Sequence, residues 1–254
     1  MSETLSVLAE NFEAKDEHSL GQECSLDFKE YFSADGHYQS ALDILGSDKD
    51  LGSLDKTIQS ARIIRDKGFN RLRSVIDFYY ISGDSELKEI DATWSLKDSR
   101  DLVSKSKSLT NILIFNPDTA SPDTDLGKVK PNLYAEHGAT IGLLGRLATA
   151  GTVVFKEPRP EAADVNRYSQ AHDLLKQANN GYYLVGNAIL AARHERIFGT
   201  RRDSILWASR AVKGLLWTGS QDRLNLKAAT LTLGSRTLDL LTRSRAIKSV
   251  YTKP

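Results

Sequence analysis

The sequence has a single cysteine, Cys24, in 254 residues, which excludes an intrachain disulfide and favours a reducing compartment. Long apolar runs are absent as well. The best candidate, residues 140–155, is interrupted by Arg146 and falls short of the ~20 apolar residues that a membrane helix needs. The acidic first residues lack the apolar core of a signal peptide. We therefore expect a cytoplasmic protein with no membrane span.

Signatures of catalysis and metal binding are also missing. The five histidines are scattered, and none belongs to a His-Glu-x-x-His or Cys-x-x-Cys arrangement. The glycine-rich phosphate loop, the dinucleotide fingerprint G-x-G-x-x-G and the Gly-x-Ser-x-Gly elbow do not occur. We therefore predict no metal site, no cofactor and no catalytic residue. An enzyme without a local motif remains a third-ranked interpretation, because many active sites leave no local pattern.

Charge is unevenly distributed along the chain. Residues 1–126 contain 14 Lys and Arg against 24 Asp and Glu, a net charge of −10. Residues 127–254 contain 20 against 9, a net charge of +11. Complementary halves favour head-to-tail self-association, or a basic half that binds a polyanion while the acidic half faces elsewhere. The alternative is chance segregation of solvated charges.

Hydrophobic periodicity changes along the chain and predicts two kinds of structure. Polar and apolar residues alternate around Trp94, and a compact apolar run covers residues 111–115. Together they predict a small antiparallel sheet within residues 70–116. Three-to-four spacing dominates after Asn132 and predicts helices over most of residues 132–245. The predicted fold class is α+β and predominantly α-helical, with the small sheet in the N-terminal half and an all-α C-terminal half.

Turn residues divide the chain into segments. A helix over residues 53–67 is predicted to end at Gly68, since glycine commonly follows a helix. Three prolines, three aspartates and a glycine make residues 116–131 the best linker. The predicted segments are 1–50, an acidic N-terminal arm or a packed helical segment; 51–116, an α+β region; 117–131, a linker or long loop; and 132–254, a helical basic domain with a flexible tail.

The densest run of arginines lies between residues 182 and 217, where two helices are predicted with a break at Gly199. Glycine suits the left-handed position that ends many helices, and Thr200 with Asp203 resembles a capping box. In the second helix the predicted buried stripe is Ile205, Ala208, Val212 and Leu215.

Arginines near this junction are candidates for phosphate binding, because the planar guanidinium donates two hydrogen bonds at once. Trp207 offers a ring on which an RNA base can stack. The alternatives are that Trp207 belongs to the core and that the arginines cap helix dipoles or pair with the acidic half. The predicted nucleic-acid-binding residues are Arg193, Arg196, Arg201, Arg202, Trp207, Arg210, Lys213, Arg236 and Arg243.

These observations favour a non-enzymatic structural protein that binds single-stranded RNA and self-assembles. The chain is comparable in size and general character with viral nucleoproteins and coat proteins, although no motif supports that analogy. If it is viral, we expect it in the virion as well as in the cytoplasm. The alternative is an adaptor or regulatory factor whose basic half binds an acidic protein.

Overall fold

Helices make up the regular structure of the described chain. The computed structural model describes residues 2–25, 31–48, 53–81, 85–115, 126–155, 157–160 and 162–221. Within these residues the helices are α1 (Ser2–Glu23), α2 (Tyr31–Ser47), α3 (Ser53–Ile81), α4 (Ser85–Phe115), α5 (Leu126–Phe155), α6 (Ala162–Gln177), α7 (Gly181–Phe198) and α8 (Arg201–Gln221). The predicted last helix, from Leu224 onward, and the predicted flexible tail lie outside this part of the chain.

The antiparallel sheet predicted for residues 70–116 is wrong, because α3 and α4 cover that region and none of its described residues forms a strand. The reason lies in the inner face of α4. Among residues 96–115, whose side chains the structure describes, the buried positions are Leu96, Ser99, Val103, Ser106 and Thr110, spaced alternately by three and four residues. Three of these five carry hydroxyl groups and count as polar in a hydrophobic pattern. The fold class is therefore all-α over the described residues, and not α+β.

Hydroxyl groups and a glycine allow α3 and α4 to approach closely. Ser99 Oγ donates a hydrogen bond to the Gly68 carbonyl at 2.6 Å, and Ser106 Oγ donates to the Ala61 carbonyl at 2.7 Å. A Cβ atom on Gly68 would lie 2.6 Å from a methyl group of Val103. The predicted helix end at Gly68 is thus wrong: α3 continues to Ile81, and the glycine serves contact between helices.

The N-terminal helices pack against α3. Ala14 of α1, Tyr38 and Leu45 of α2, and Ile63 of α3 share one buried cluster. For residues 14–48 the structure thus favours the packed segment over the free arm. Separate buried clusters join α3, α4 and α5, and α6, α7 and α8.

Small residues bring α5 close to α6 and α7. Cβ atoms at three glycines would lie within 3 Å of a neighbouring side chain. The pairs are Gly138 with Leu175, Gly142 with Asn187, and Gly145 with Tyr168. The helix begins at Leu126 and contains Pro131, so it starts within the segment predicted as linker. Residues 116–125 lie outside the described chain.

A buried network of charged groups joins four helices. Glu136 of α5 is 2% exposed and accepts hydrogen bonds from Arg62 Nε at 2.8 Å and from Arg65 Nη1. Arg65 Nη2 donates to Asp66 Oδ1 at 2.8 Å and to the Tyr183 hydroxyl of α7 at 3.1 Å. His18 of α1 lies 2.9 Å from Asp66 Oδ2. This network fixes α1, α3, α5 and α7 relative to one another.

Opposite charges set the ionisation of this network. Burial alone would raise the pKa of Asp66, but the Arg65 charge and the hydrogen bond from His18 hold that pKa well below its usual range. Burial would likewise lower the pKa of Arg65, and Asp66, Tyr183 and Glu136 raise it instead. Both groups are therefore charged at neutral pH.

Candidate nucleic-acid interface

A basic groove of about 630 Å³ lies between α4, α5 and the segment that connects α5 to α6. The face of α4 that lines it consists entirely of polar side chains, with spacings of four, three, one and three residues: Arg100, Ser104, Lys107, Ser108 and Asn111. On the opposite wall α5 contributes Leu144, Leu147, Ala148 and Thr152, and Arg167 of α6 closes one side. The groove thus has hydrogen-bond donors on one wall and an apolar surface on the other.

Positive charge predominates in the groove. Arg100, Lys107, Arg159 and Arg167 are cationic, and Glu157 is the one acidic side chain among the lining residues. Arg100 binds Glu157 through both terminal nitrogens, with Nη1 2.7 Å from Oε1. Both side chains are about a third exposed, at 36% and 34%, so water weakens their attraction. Glu157 therefore occupies both terminal nitrogens of Arg100, and an anion that binds Arg100 would have to displace this carboxylate.

The segment 157–160 holds the groove next to the junction of α7 and α8. The Thr152 hydroxyl donates to the Pro158 carbonyl at 2.9 Å. Arg159 donates through Nη2 to the carbonyl of Phe198, the last residue of α7. Arg159 also lines a second cavity of about 560 Å³ beside Glu195, Asp203 and Trp207. The groove and the helix junction therefore belong to one continuous surface.

The predicted helix junction is present, although Gly199 has φ of −106° and is not left-handed. The Asp203 amide donates to the Thr200 hydroxyl at 3.1 Å, which confirms the predicted cap. Arg196, Arg201, Arg202 and Lys213 are exposed, whereas Arg193 and Arg210 are half-buried. None of these six cations is among the described residues that line the groove. Arg236 and Arg243 lie outside the described residues.

Trp207 lies in the core rather than on an open surface. The side chain is 8% exposed and packs in the cluster shared by α6, α7 and α8. The Arg210 guanidinium lies 4.3 Å from the ring centroid, and the His172 ring meets the indole edge-on at 5.5 Å. Little of the ring is left for a base, so its predicted stacking role would require Arg210 to move.

The buried stripe predicted for α8 is confirmed only at Leu215, which packs against the cluster shared by α6, α7 and α8; the other three positions are wrong. Trp207 and Ala211 face the core, whereas Ile205 and Val212 are 57% and 50% exposed. Leu216, at 72%, continues this outward face. The apolar residues of the helix occur on both sides, so their spacing does not identify the buried one. The tryptophan decides the orientation because it buries more apolar surface than either aliphatic residue.

Sequence reasoning missed the groove residues of α4. The signal was present, since Arg100, Ser104, Lys107, Ser108 and Asn111 share one helical face. The strand predicted for residues 111–115 hides this signal, because it separates Asn111 from the other four residues. Arg159 and Arg167 reach the groove only through tertiary packing and have no local signal.

No family model matches the sequence, and no curated protein sequence matches it. Among the described helices, none has both the length and the apolar composition that crossing a membrane requires.

Proposed function

We propose that this protein is a non-enzymatic structural protein that binds single-stranded RNA and self-assembles, with the cytoplasm as its compartment. The observation that carries the proposal is the basic groove, where four cationic side chains oppose one carboxylate. Seryl, threonyl and asparaginyl groups between the cations add neutral donors for phosphate oxygens.

The groove suits the sugar–phosphate backbone better than the bases. The described residues that line it include no aromatic ring on which a base can stack. Phosphate contacts carry no sequence information, so we expect similar affinity for unrelated sequences. The exposed cations Arg196, Arg201 and Arg202 extend the path of the strand past Arg159 to the junction of α7 and α8. The groove and the predicted arginines then contact successive phosphates.

Lys107 provides the sharpest test, because α4 offers a matched control. Lys107 lines the groove, whereas Lys105 is exposed on the same helix and is not among the lining residues. Each Ala substitution removes one charge, so only position distinguishes them. Titration of labelled single-stranded RNA at several salt concentrations should show a log–log slope of roughly −0.7 per phosphate contact. Lys107→Ala should reduce that slope by about 0.7. Equal binding by the two variants would contradict the groove.

The adaptor hypothesis is tested by the same titration with poly-glutamate. A polyanion without phosphates can satisfy bulk charge, but it cannot match the phosphate spacing along the groove. We expect poly-glutamate to compete weakly and equally in the Lys107→Ala and Lys105→Ala proteins. Competition as strong as that of RNA would instead favour an acidic protein partner.

Self-assembly rests on the charge difference between the two halves of the chain, −10 against +11. Part of the acidic charge is already paired within the chain, as in Asp35 with Arg71 at 2.7 Å and Glu17 with His37 at 2.8 Å. Both pairs lie within residues 1–126, so they leave the net charge of −10 in that half unchanged, and this net charge can attract the basic half of a neighbouring subunit. Light scattering should detect oligomers that dissociate as salt is raised. A chain that stays monomeric at high protein concentration and low salt would refute this part of the proposal.

A further inference from the structure

The outward face of α8 carries a row of apolar side chains. Ile205, Val212 and Leu216 follow one another at intervals of seven and four residues, which places them on one side of the helix. They are 57%, 50% and 72% exposed, whereas Trp207 and Ala211 on the opposite side are buried. Contiguous exposed apolar surface is typical of sites that bind another protein segment. We call Ile205, Val212 and Leu216 the outer stripe of α8.

Small side chains beside the outer stripe leave room for a second helix. Ala208 and Ser209 are exposed and lie between Ile205 and Val212. From Ile205 to Leu216 the helix rises about 17 Å, which is about three turns. A helical segment of three turns can therefore lie along the outer stripe, with larger apolar side chains of its own over the small residues.

The charge around the outer stripe is positive. Arg201, Arg202 and Lys213 are exposed. Asp203 is the one acidic residue in the sequence of α8, and it is hydrogen-bonded to Thr200 at the start of the helix. Residues 201–216 contain four Lys and Arg against one Asp, a net charge of +3. A segment that is apolar on one side and acidic on its flanks would complement this surface.

The first residues of the chain have this composition. Residues 2–13 belong to α1 and contain three Glu and no Lys or Arg, a net charge of −3. In the sequence, Leu5, Leu8 and Phe12 recur at intervals of three and four residues, which is the spacing of one helical face. Twelve helical residues rise about 17 Å from first to last, so the segment matches the outer stripe in length.

The last residues of the chain do not fit the same surface. Residues 222–254 contain seven Lys and Arg against two Asp, a net charge of +5. Repulsion between like charges disfavours this segment on the basic face of α8. The same argument disfavours the pairing of two α8 helices through their outer stripes. Charge therefore selects residues 2–13 as the occupant.

The occupant comes from a second copy of the chain. Within one chain, Ala14 of α1 lies in the buried cluster shared with α2 and α3, and His18 Nε2 lies 2.9 Å from Asp66 Oδ2. With α1 held in this place, the outer stripe of α8 stays exposed. Residues 2–13 of a neighbouring chain can cover it, because the contacts that hold α1 begin at Ala14 among the side chains that the structure describes.

We propose that residues 2–13 of one subunit dock on the outer stripe of α8 of the next subunit. The apolar side chains of the segment cover the outer stripe, and its glutamates face the exposed cations of α8. The contact joins two different surfaces, so it is head-to-tail and generates rings or open filaments. This inference rests on the proposed self-assembly and names the two surfaces that join the subunits.

Two variants of the full-length protein, measured without RNA, test this pairing. One carries Leu5→Ser and Phe12→Ser, and the other carries Ile205→Ser and Leu216→Ser. Each variant loses one half of the contact, so the dissociation constant of its assembly should rise at least about tenfold. Light scattering should then show each variant alone with the mass of one chain, 28.1 kDa, at concentrations where the wild type forms oligomers.

A one-to-one mixture of the two variants identifies the occupant. Each variant retains the half of the contact that the other lacks. The mixture should therefore form dimers of about twice the mass of one chain and nothing larger, because a dimer joined in this way has only defective surfaces left. A mixture that stays monomeric would overturn the proposal, since α8 would then bind something other than residues 2–13.

The matched control carries Ile112→Ser and Phe115→Ser at the end of α4. These side chains are 51% and 72% exposed, against 57% and 72% for Ile205 and Leu216. The control should assemble as the wild type does. Circular dichroism checks that every variant is folded. If one is not, Glu3→Lys with Glu10→Lys replaces the first variant, or Val212→Ser replaces the second.

The same measurements separate failure of this contact from failure of self-assembly. A wild type that stays monomeric at low salt would refute both. Oligomers that persist in the Ile205 and Leu216 variant would leave self-assembly intact and refute the contact. Oligomers lost only in the Ile112 and Phe115 control would place the interface on α4 and likewise refute the contact.

Discussion

Replacing Glu136 by Ala should destabilise the protein more than removal of any comparable carboxylate at its surface. Glu136 is 2% exposed and receives hydrogen bonds from Arg62 and Arg65, and Arg65 is itself buried with a side-chain exposure of 6%. Breaking a buried ion pair by removing one partner costs about 3–5 kcal/mol, because the other charge is left without compensation. Arg65 would keep Asp66 and the Tyr183 hydroxyl, so we expect the lower end, about 3 kcal/mol.

The Arg100–Glu157 pair provides the control. It is also an arginine–glutamate pair with two hydrogen bonds, but both side chains are about a third exposed. Pairs of this kind contribute about 0–1 kcal/mol. Glu157→Ala should therefore leave stability nearly unchanged, and it should raise RNA affinity by removing the carboxylate from the groove.

Urea unfolding followed by circular dichroism gives the free energy of unfolding of both variants, and a thermal melt gives their Tm. A loss of 3 kcal/mol corresponds to a fall in Tm of about 6–12 °C for a chain of this size. Glu136→Gln should fall between wild type and Glu136→Ala, because the amide keeps an acceptor and loses the charge. If Glu136→Ala is no less stable than Glu157→Ala, the network does not hold the four helices together.

Three further predictions concern His137, Gly68 and the pair Arg201 and Arg202. Burial and nearby Lys107 lower the pKa of His137 to about 4. As the pH falls, His137 is protonated in the unfolded chain before it is protonated in the folded chain. The free energy of unfolding should therefore fall by about 3 kcal/mol between pH 7 and pH 4. His137→Asn should remove that part of the pH dependence, measured by urea unfolding. Gly68→Ala should cost about 1–3 kcal/mol in the same assay, since its Cβ would lie 2.6 Å from a Val103 methyl. Replacing Arg201 and Arg202 together by Ala should weaken binding of unrelated RNA sequences equally, measured by titration; unchanged affinity and salt slope would exclude these two residues.

The capping signal at the start of α8 predicted the local structure correctly. The Thr200–Asp203 cap needs only four consecutive residues and is confirmed by a hydrogen bond of 3.1 Å. A helix cap depends on neighbours in the chain, so the residue types and their spacing are sufficient to find it.

Features that depend on distant partners could not be predicted. The contact between Arg65 and Glu136 joins residues 71 apart, and neither residue has a local pattern that names the other. The helix α4 was not predicted, because serines and a threonine interrupt the hydrophobic stripe on its buried face. The basic groove could not be predicted either, since its α4 residues share one face only when α4 is a continuous helix.

The hydroxyl-rich contact between α3 and α4 has a consequence for how this sequence diverges. Ser99 and Ser106 donate to the carbonyls of Gly68 and Ala61. Both carbonyls lie within α3, where they also accept hydrogen bonds from backbone amides of the helix. Losing a hydroxyl there leaves no carbonyl unpaired, whereas adding volume forces the helices apart. Selection at these positions should therefore act on size and be nearly indifferent to polarity. Distant relatives should keep small residues at positions 68, 99 and 106, with alanine freely exchanging for serine, even where every hydrophobic pattern in α4 has been lost.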